Sequence, residues 1–250
     1  MILGRVTETS TSATQAPPVR APPEECAAMA GRFVTRSGNE RAAMRPTSSH
    51  PDGLLFLFAH GAGASSQSSW MKAWHERLSA LGSVVSFDYP YIREGRRTPD
   101  RLPHLVAAHR QALASAAAGH GGPLVLAGKS MGSRVGCHVA LEEPSVRGLV
   151  CFGYPLKGAG KRQTLRDEVL LELRVPILFL QGSRDPLCPL DRLEDVRAKM
   201  RARSSLHVVE GGDHSLSVSA AARKASGQTQ ADSDARVLAA IAEFLKTAMA

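Results

Sequence analysis

The chain has 250 residues, enough to bury a substantial core in one large domain or two small ones. Hydrophobic residues make up 43% and charged residues 22%, an ordinary globular balance, and no apolar run approaches the ~20 residues a membrane helix needs. The net charge is +8, but the basic residues are scattered apart from "REGRR" and "KGAGKR". No aromatic residues interleave with them and no nucleic-acid-binding motif is present, so charge alone does not indicate a nucleic acid partner.

Residues 1–30 read as a flexible tail, with prolines at 17, 18, 22 and 23. The stretch lacks the apolar core and small-residue cleavage site of a secretory signal. Its Ser, Thr, Ala and Arg content would suit an organelle transit peptide, but Glu8, Glu24 and Glu25 count against one. Residues 31–250 read as a single domain that begins with an edge hairpin over 32–46.

From residue 53 the pattern becomes regular. "GLLFLFAHG" (53–61) is a continuous apolar run ending in glycine, the signature of a strand covered on both faces. A helix over 66–82 carries Trp70, Met71, Trp74, Leu78 and Leu81 at helical spacing. A strand over 83–90, a helix over 99–119 with Pro103 in its first turn, and a strand over 123–128 follow. The alternation continues with a helix (130–143), a strand (146–155), a short helix (164–173), a strand (175–182), a helix (189–200) and a last strand (204–212). Residues 217–233 read as a mobile loop, and 231–249 as a closing amphipathic helix. Such alternation predicts an α/β fold, with a mainly parallel, doubly wound sheet and right-handed crossovers.

Ligands of such sheets bind at the carboxyl ends of the strands, so the loops after the strands should carry the chemistry. Gly128-Lys129-Ser130-Met131-Gly132 is a G-x-S-x-G between an apolar strand and a helix, the pattern of a nucleophile elbow. A strained turn there would hold the Ser130 hydroxyl toward substrate, with the helix N-terminus favouring developing negative charge. Asp185 follows a strand in "LFLQGSRDPLCP", and His214 follows the last strand in "VVEGGDHSL". Serine, acid and histidine in this order suit acyl transfer: the imidazole takes the hydroxyl proton, and the carboxylate fixes its tautomer. Asp213 adjoins His214 and is poorly aimed at it, while Asp191 and Asp195 fall in a helix. His138 and His207 read as structural, and His75, His104, His109 and His120 as surface residues.

"AHGAGASS" (59–66) after the first core strand is the candidate oxyanion loop, with the N–H groups of Met131 and Ala62 as donors. Gly61, Gly63 and Lys129 are candidate substrate contacts, and His60 reads as a brace of the loop. The loop has neither the ending of a P-loop nor the glycine spacing of a dinucleotide fingerprint. Cys26, Cys137, Cys151 and Cys188 show no metal-ligand spacing. Cys137 and Cys151 read as small buried hydrophobes of a reducing compartment, and no metal or cofactor is expected.

Together "AHGAG", "GKSMGSR", "GYPL", "QGSRDPLCP" and "GGDHS" resemble the α/β-hydrolase-like family that includes testis-expressed protein 30 and subunit 3 of the NSL histone-acetyltransferase complex, whose bacterial and plant members are described as dienelactone-hydrolase-like. The resemblance covers about residues 50–249. It implies an α/β-hydrolase fold over the domain, with Ser130, Asp185 and His214 in the triad positions. Dienelactone hydrolases proper are less similar, having cysteine where this chain has Ser130. The function so implied is a serine hydrolase of the carboxylesterase type acting on esters or thioesters of a small-molecule acyl substrate. The alternative is a weakly catalytic or non-catalytic interaction subunit of a chromatin-type complex, since some family members serve in such complexes. The expected location is cytoplasmic, with a nuclear one compatible.

Many α/β-hydrolases insert a large lid after the sixth strand of their sheet. Here about twenty residues separate "CFGYP" from "VPILF", which predicts a minimal lid and an open site. Lys129, Arg93, Arg96, Arg97, Lys157, Lys161 and Arg162 fall on loops at the same edge, which raises the expectation of an electropositive mouth suited to anionic acyl substrates.

Overall fold

The computed structural model describes residues 53–158 and 164–249; the expected tail over 1–30, the hairpin over 32–46, Cys26, Lys161 and Arg162 lie outside the described residues. Six strands form one sheet: β1 (Leu55–Ala59), β2 (Ser83–Phe87), β3 (Leu124–Lys129), β4 (Val146–Phe152), β5 (Ile177–Gly182) and β6 (Ser204–Val209). All neighbouring pairs are parallel, in the order β2-β1-β3-β4-β5-β6. Each apolar run in the sequence becomes one strand.

The continuous hydrophobicity of these runs follows from burial on both faces. Along β1, Leu55, Leu57 and Ala59 join one core while Phe56 and Phe58 join the other, the two-residue alternation of a pleated strand. The helices are α1 (Ser69–Leu78), α2 (Pro90–Arg93), α3 (Leu102–Ala117), α4 (Met131–Ala140), α5 (Glu168–Glu172), α6 (Leu190–Arg197), α7 (Ala220–Ser226) and α8 (Gln230–Met249). The first core takes Leu105 and Leu113 of α3, Val135 and Val139 of α4, Leu170 of α5 and Leu193 of α6. The second takes Met71, Trp74 and Leu78 of α1, and Val237, Ile241 and Phe244 of α8. No helix of the described residues is long and apolar enough to cross a membrane.

Three expectations change. Residues 217–233 are not a loop throughout: α7 occupies part of them, and α8 begins at Gln230. The Ser219 hydroxyl caps α7 by accepting from the Ala222 N–H at 3.2 Å, and Gly227 ends it in the left-handed region at φ 66°. Beyond β2, the chain turns into the short helix α2, opened by Pro90 in its first turn. His109 is fully buried rather than a surface residue, because its face of α3 packs on α4, where Gly136 leaves room for the ring.

The strand order sets the place of the site. The chain steps outward from β1 to β2, then returns across β1 to β3 and continues outward on the other side. Loops leaving β1 and β3 therefore diverge, opening the crevice in which sheets of this kind bind ligands. Ala59 lies in register with Gly128, so the 59–66 loop and Ser130 start from the same level. The crossover from β4 to β5 holds α5 and a bridge between Lys157 and Leu165; no bulky lid stands among its described residues.

The edge that carries these loops is closely packed at Gly182, the last residue of β5. A Cβ there would lie 2.3 Å from the carbonyl oxygens of both Gly212 and Asp213. Gly182→Ala should lower the unfolding free energy by about 1–3 kcal/mol, the usual range for overpacking a filled site, as read from the urea midpoint at unchanged slope.

Candidate active site

Ser130 joins β3 to α4 with φ 50° and ψ −112°, a conformation that non-glycine residues seldom adopt. Its backbone is held on both sides: the Ser130 N–H donates to Phe152 O at 2.9 Å, and Ser130 O accepts from Ser133 Oγ at 2.6 Å. The flanking glycines serve different approaches. A Cβ on Gly128 would lie 2.4 Å from Gly132 C and Ser133 N, so Gly128 lets α4 fold back on β3. A Cβ on Gly132 would lie 2.5 Å from Ala59 O and 2.7 Å from His60 O, so Gly132 seats α4 against the end of β1.

The structure brings Ser130, Asp185 and His214 together. His214 Nε2 is 2.8 Å from Ser130 Oγ, and His214 Nδ1 is 2.8 Å from Asp185 Oδ2. A carboxylate only accepts, so Nδ1 carries the proton and donates it to Asp185, leaving Nε2 to accept from the Ser130 hydroxyl. Asp185 is 4% exposed, and its other oxygen accepts from the Leu187 N–H at 2.9 Å. Both carboxylate oxygens are thus oriented, and the acid cannot swing away from the ring without losing a hydrogen bond.

Asp213 has a different task. Its Oδ1 accepts from the Ser215 N–H at 2.7 Å and the Ser217 N–H at 3.0 Å, which bends the chain just past His214. Asp191 and Asp195 lie beside Arg192 on α6, away from these groups.

The 59–66 loop adjoins the nucleophile. The position of a Cβ on Gly61 would lie 3.5 Å from Ser130 Cβ and 3.4 Å from Lys129 O. Gly63 takes φ 71°, where glycine is at ease. Neither the Ala62 N–H nor the Met131 N–H has an acceptor among the described residues, which leaves both donors available at this edge. His60 is buried and accepts from the Tyr89 N–H through Nε2 at 3.2 Å, so its Nδ1 donates to Gly61 O at 2.8 Å. Burial lowers its pKa, which keeps this neutral arrangement. Asp88 secures the other end of the loop, its Oδ1 accepting from the Ser66 N–H at 2.6 Å.

Lys129 is engaged by protein groups. Its ammonium donates to His214 O at 3.1 Å and stands 5.0 Å over the Trp70 ring. The Trp70 indole N–H donates in turn to Ser215 O at 2.9 Å. These two side chains hold the backbone on either side of the His214 peptide. Arg96 is likewise occupied, by Glu94 at 2.6 Å and Asp100 at 2.8 Å, so fewer charges face outward than the loop composition implies.

Several contributors went unread in the sequence: Trp70 as a pin of the histidine loop, Asp88 as an anchor of the 59–66 loop, and Gly153. Gly153 takes φ 61°, and a Cβ there would lie 2.5 Å from His214 O. A signal was present, since glycine stands at or just past the carboxyl end of five of the six strands. Cys137, Cys151 and Cys188 are buried free thiols, and burial pushes Cys188 up to about 12, outside any thiolate chemistry at neutral pH.

Burial lowers the Lys129 pKa to about 8, against the opposing pull of Asp185 and Asp213. The folded state thus penalises the ammonium at neutral pH, and the penalty is relieved as pH rises from about 8 toward the ordinary lysine range. Side-chain NMR of 15N,13C-lysine-labelled protein should show one amine titrating near pH 8, assigned by its loss in Lys129→Met. A midpoint above 10 would mean that the amine sits in water.

The family model described as "Alpha/beta hydrolase domain" matches residues 52–246. An α/β serine hydrolase homologue from Coxiella burnetii shares the fold with a TM-score of 0.56 and 18% identity, over 68% of this chain and 80% of that one. Est1E from Butyrivibrio proteoclasticus, solved with ferulic acid bound, matches with a TM-score of 0.59 and 15% identity, over 82% of this chain and 93% of its own. A dienelactone hydrolase from Anabaena variabilis matches with a TM-score of 0.57 and 20% identity, over 78% and 87%. With a family model spanning nearly all of the described sheet and helices, and six parallel strands carrying a serine on the turn after β3, the chain belongs to the α/β-hydrolase family.

Proposed function

We propose that this protein is a serine hydrolase that cleaves carboxylic esters or thioesters through an acyl-enzyme. The observation that carries the proposal is the pair of 2.8 Å contacts linking Ser130 Oγ, the His214 ring and the Asp185 carboxylate. Ser130 attacks the acyl carbon while its proton passes to His214 Nε2. The imidazolium that forms is stabilised by Asp185 through Nδ1–H. The N–H groups of Met131 and Ala62 receive the oxyanion of the tetrahedral intermediate, each such donor contributing about 3–4 kcal/mol in enzymes of this type. Collapse expels the alcohol or thiol, which takes the proton from Nε2. Water, activated by the freed imidazole, then releases the acid and restores Ser130.

The open crossover with only α5 among its described elements suits small or extended substrates better than lipids enclosed by a lid. The five motifs shared with the testis-expressed protein 30 and NSL subunit 3 group support membership of that branch. The name of one structural relative, a serine hydrolase homologue, points to the same chemistry.

A fluorophosphonate probe tests the proposal. Wild-type protein should be labelled and Ser130→Ala should not. His214→Gln and Asp185→Asn should each lower kcat on a 4-nitrophenyl ester by roughly 10⁴-fold. Folded wild-type protein that takes no label would overturn the hydrolase and leave the interaction-subunit role.

A further inference from the structure

Two arginines near the nucleophile have no side-chain partner among the described residues. Arg134 stands one helical turn beyond Ser130 on α4, its N–H donating to Ser130 O at 3.2 Å. Its Nε is buried and makes no hydrogen bond. Arg166 lies on the crossover from β4 to β5, before α5. Its N–H donates to Leu156 O at 2.7 Å, and its carbonyl accepts from Tyr154 Oη at 2.7 Å. Its side chain is half-buried, with Nε 3.6 Å from where a Cβ on Gly158 would lie. Neither guanidinium makes an ion pair or a hydrogen bond among the described residues.

This departs from the other partly buried arginines among the described residues. Arg77, Arg110 and Arg197 each hold a carboxylate oxygen at 2.8 Å. Arg166 has instead another cation as neighbour: burial and the charge of Arg134 both push its pKa down, and only the Tyr154 hydroxyl opposes them. The nearby acids Glu168 and Glu172 act on His138, not on Arg166. Two partly desolvated guanidiniums beside one another are unfavourable unless an anion joins them, and the guanidinium fork suits a carboxylate bidentately.

The place of the pair limits what that anion can belong to. Tyr154 feels both charges, and it follows Gly153, whose backbone packs on His214. The Arg134 N–H bond to Ser130 O sets this residue one helical turn from the nucleophile, within reach of an anion a few bonds from an acyl carbon at Ser130. We propose that Arg134 and Arg166 form an anion subsite beside Ser130, and that the substrates are esters or thioesters whose short acyl chain ends in a carboxylate, such as succinyl or glutaryl groups. The proposal rests on Ser130 as the nucleophile, and it makes the anion part of the acid released rather than of the leaving group.

The test compares kcat/KM of the full-length protein on mono-4-nitrophenyl glutarate, neutral 4-nitrophenyl pentanoate, and 4-acetoxybenzoate, which carries its carboxylate on the leaving group. Wild type should prefer the glutarate at least tenfold over the pentanoate at low ionic strength, with the preference shrinking as salt is added. Arg134→Met and Arg166→Met should each reduce that preference about tenfold, and Arg166→Lys should retain part of it. Calorimetry with free glutarate supplies a readout independent of turnover: wild type should bind it, and the double methionine variant at least tenfold more weakly. Equal rates on the two acyl esters, a preference for 4-acetoxybenzoate alone, or a preference untouched by the arginine variants would each overturn the subsite. Loss of fluorophosphonate labelling in wild type with glutarate binding intact would instead overturn the hydrolase reading and keep the anion site.

Discussion

The site depends on backbone approaching backbone where a side chain would stand in the way. Gly128 and Gly132 let α4 begin close enough to β3 and β1 for Ser130 to bend at φ 50°. Gly153 and Gly182 admit the histidine loop against the ends of β4 and β5, with Cβ positions 2.3–2.5 Å from carbonyl oxygens of Gly212, Asp213 and His214. Displacing any of these contacts by the width of a methyl group would move one of three side chains that meet at 2.8 Å. In the proposed hydrolase such a shift would matter, since reacting groups must be held near 3 Å in the right orientation.

His214 is partly exposed while Asp185 is buried, and the histidine loop is heavily tied. Lys129 and Trp70 hold carbonyls of His214 and Ser215, while Asp213 accepts two N–H groups beyond them. Leu216 is pinned in the left-handed region at φ 63°, a conformation unusual for a non-glycine residue, and its side chain is buried in the second core. Hydrophobic burial of that side chain offsets the local strain, so the loop is anchored by the core it closes.

The strands were legible because burial on both faces removes the polar half of the usual alternation, leaving runs such as "LLFLFA" that only a covered parallel sheet explains. Ser130, Asp185 and His214 could be singled out because each lies within a few residues of the carboxyl end of a strand. The elements that escaped reading were short or governed by their ends. In α7 the Ser219 cap and Gly227 terminus decide the helix, while the polar composition of 217–233 suggests a loop. His109 was misjudged because helical position does not reveal which face of α3 meets Gly136. Trp70 looked like one more core residue at helical spacing; its indole N–H finds Ser215 only after 145 residues of chain have folded back. Pairings of that sequence separation follow from topology, which no local pattern encodes.

The two faces of the sheet divide the work around Ser130. On the α1 and α8 side, Phe58, Trp70, Trp74 and Phe152 pack with ring centroids 4.8–6.2 Å apart, a stiff platform beneath Lys129 and the histidine loop. Aromatic packing of this sort resists rearrangement, which suits groups whose distances must not drift. On the α4 and α5 side, Tyr154 and the buried cysteines give way at the rim to Arg134 and Arg166, longer side chains with unspent hydrogen-bond capacity. In the proposed hydrolase one face would fix the proton-transferring groups, while the other would keep directional, charged donors for the acyl chain. With only α5 among the described elements of the crossover, the proposed recognition would come from the rim of the sheet itself.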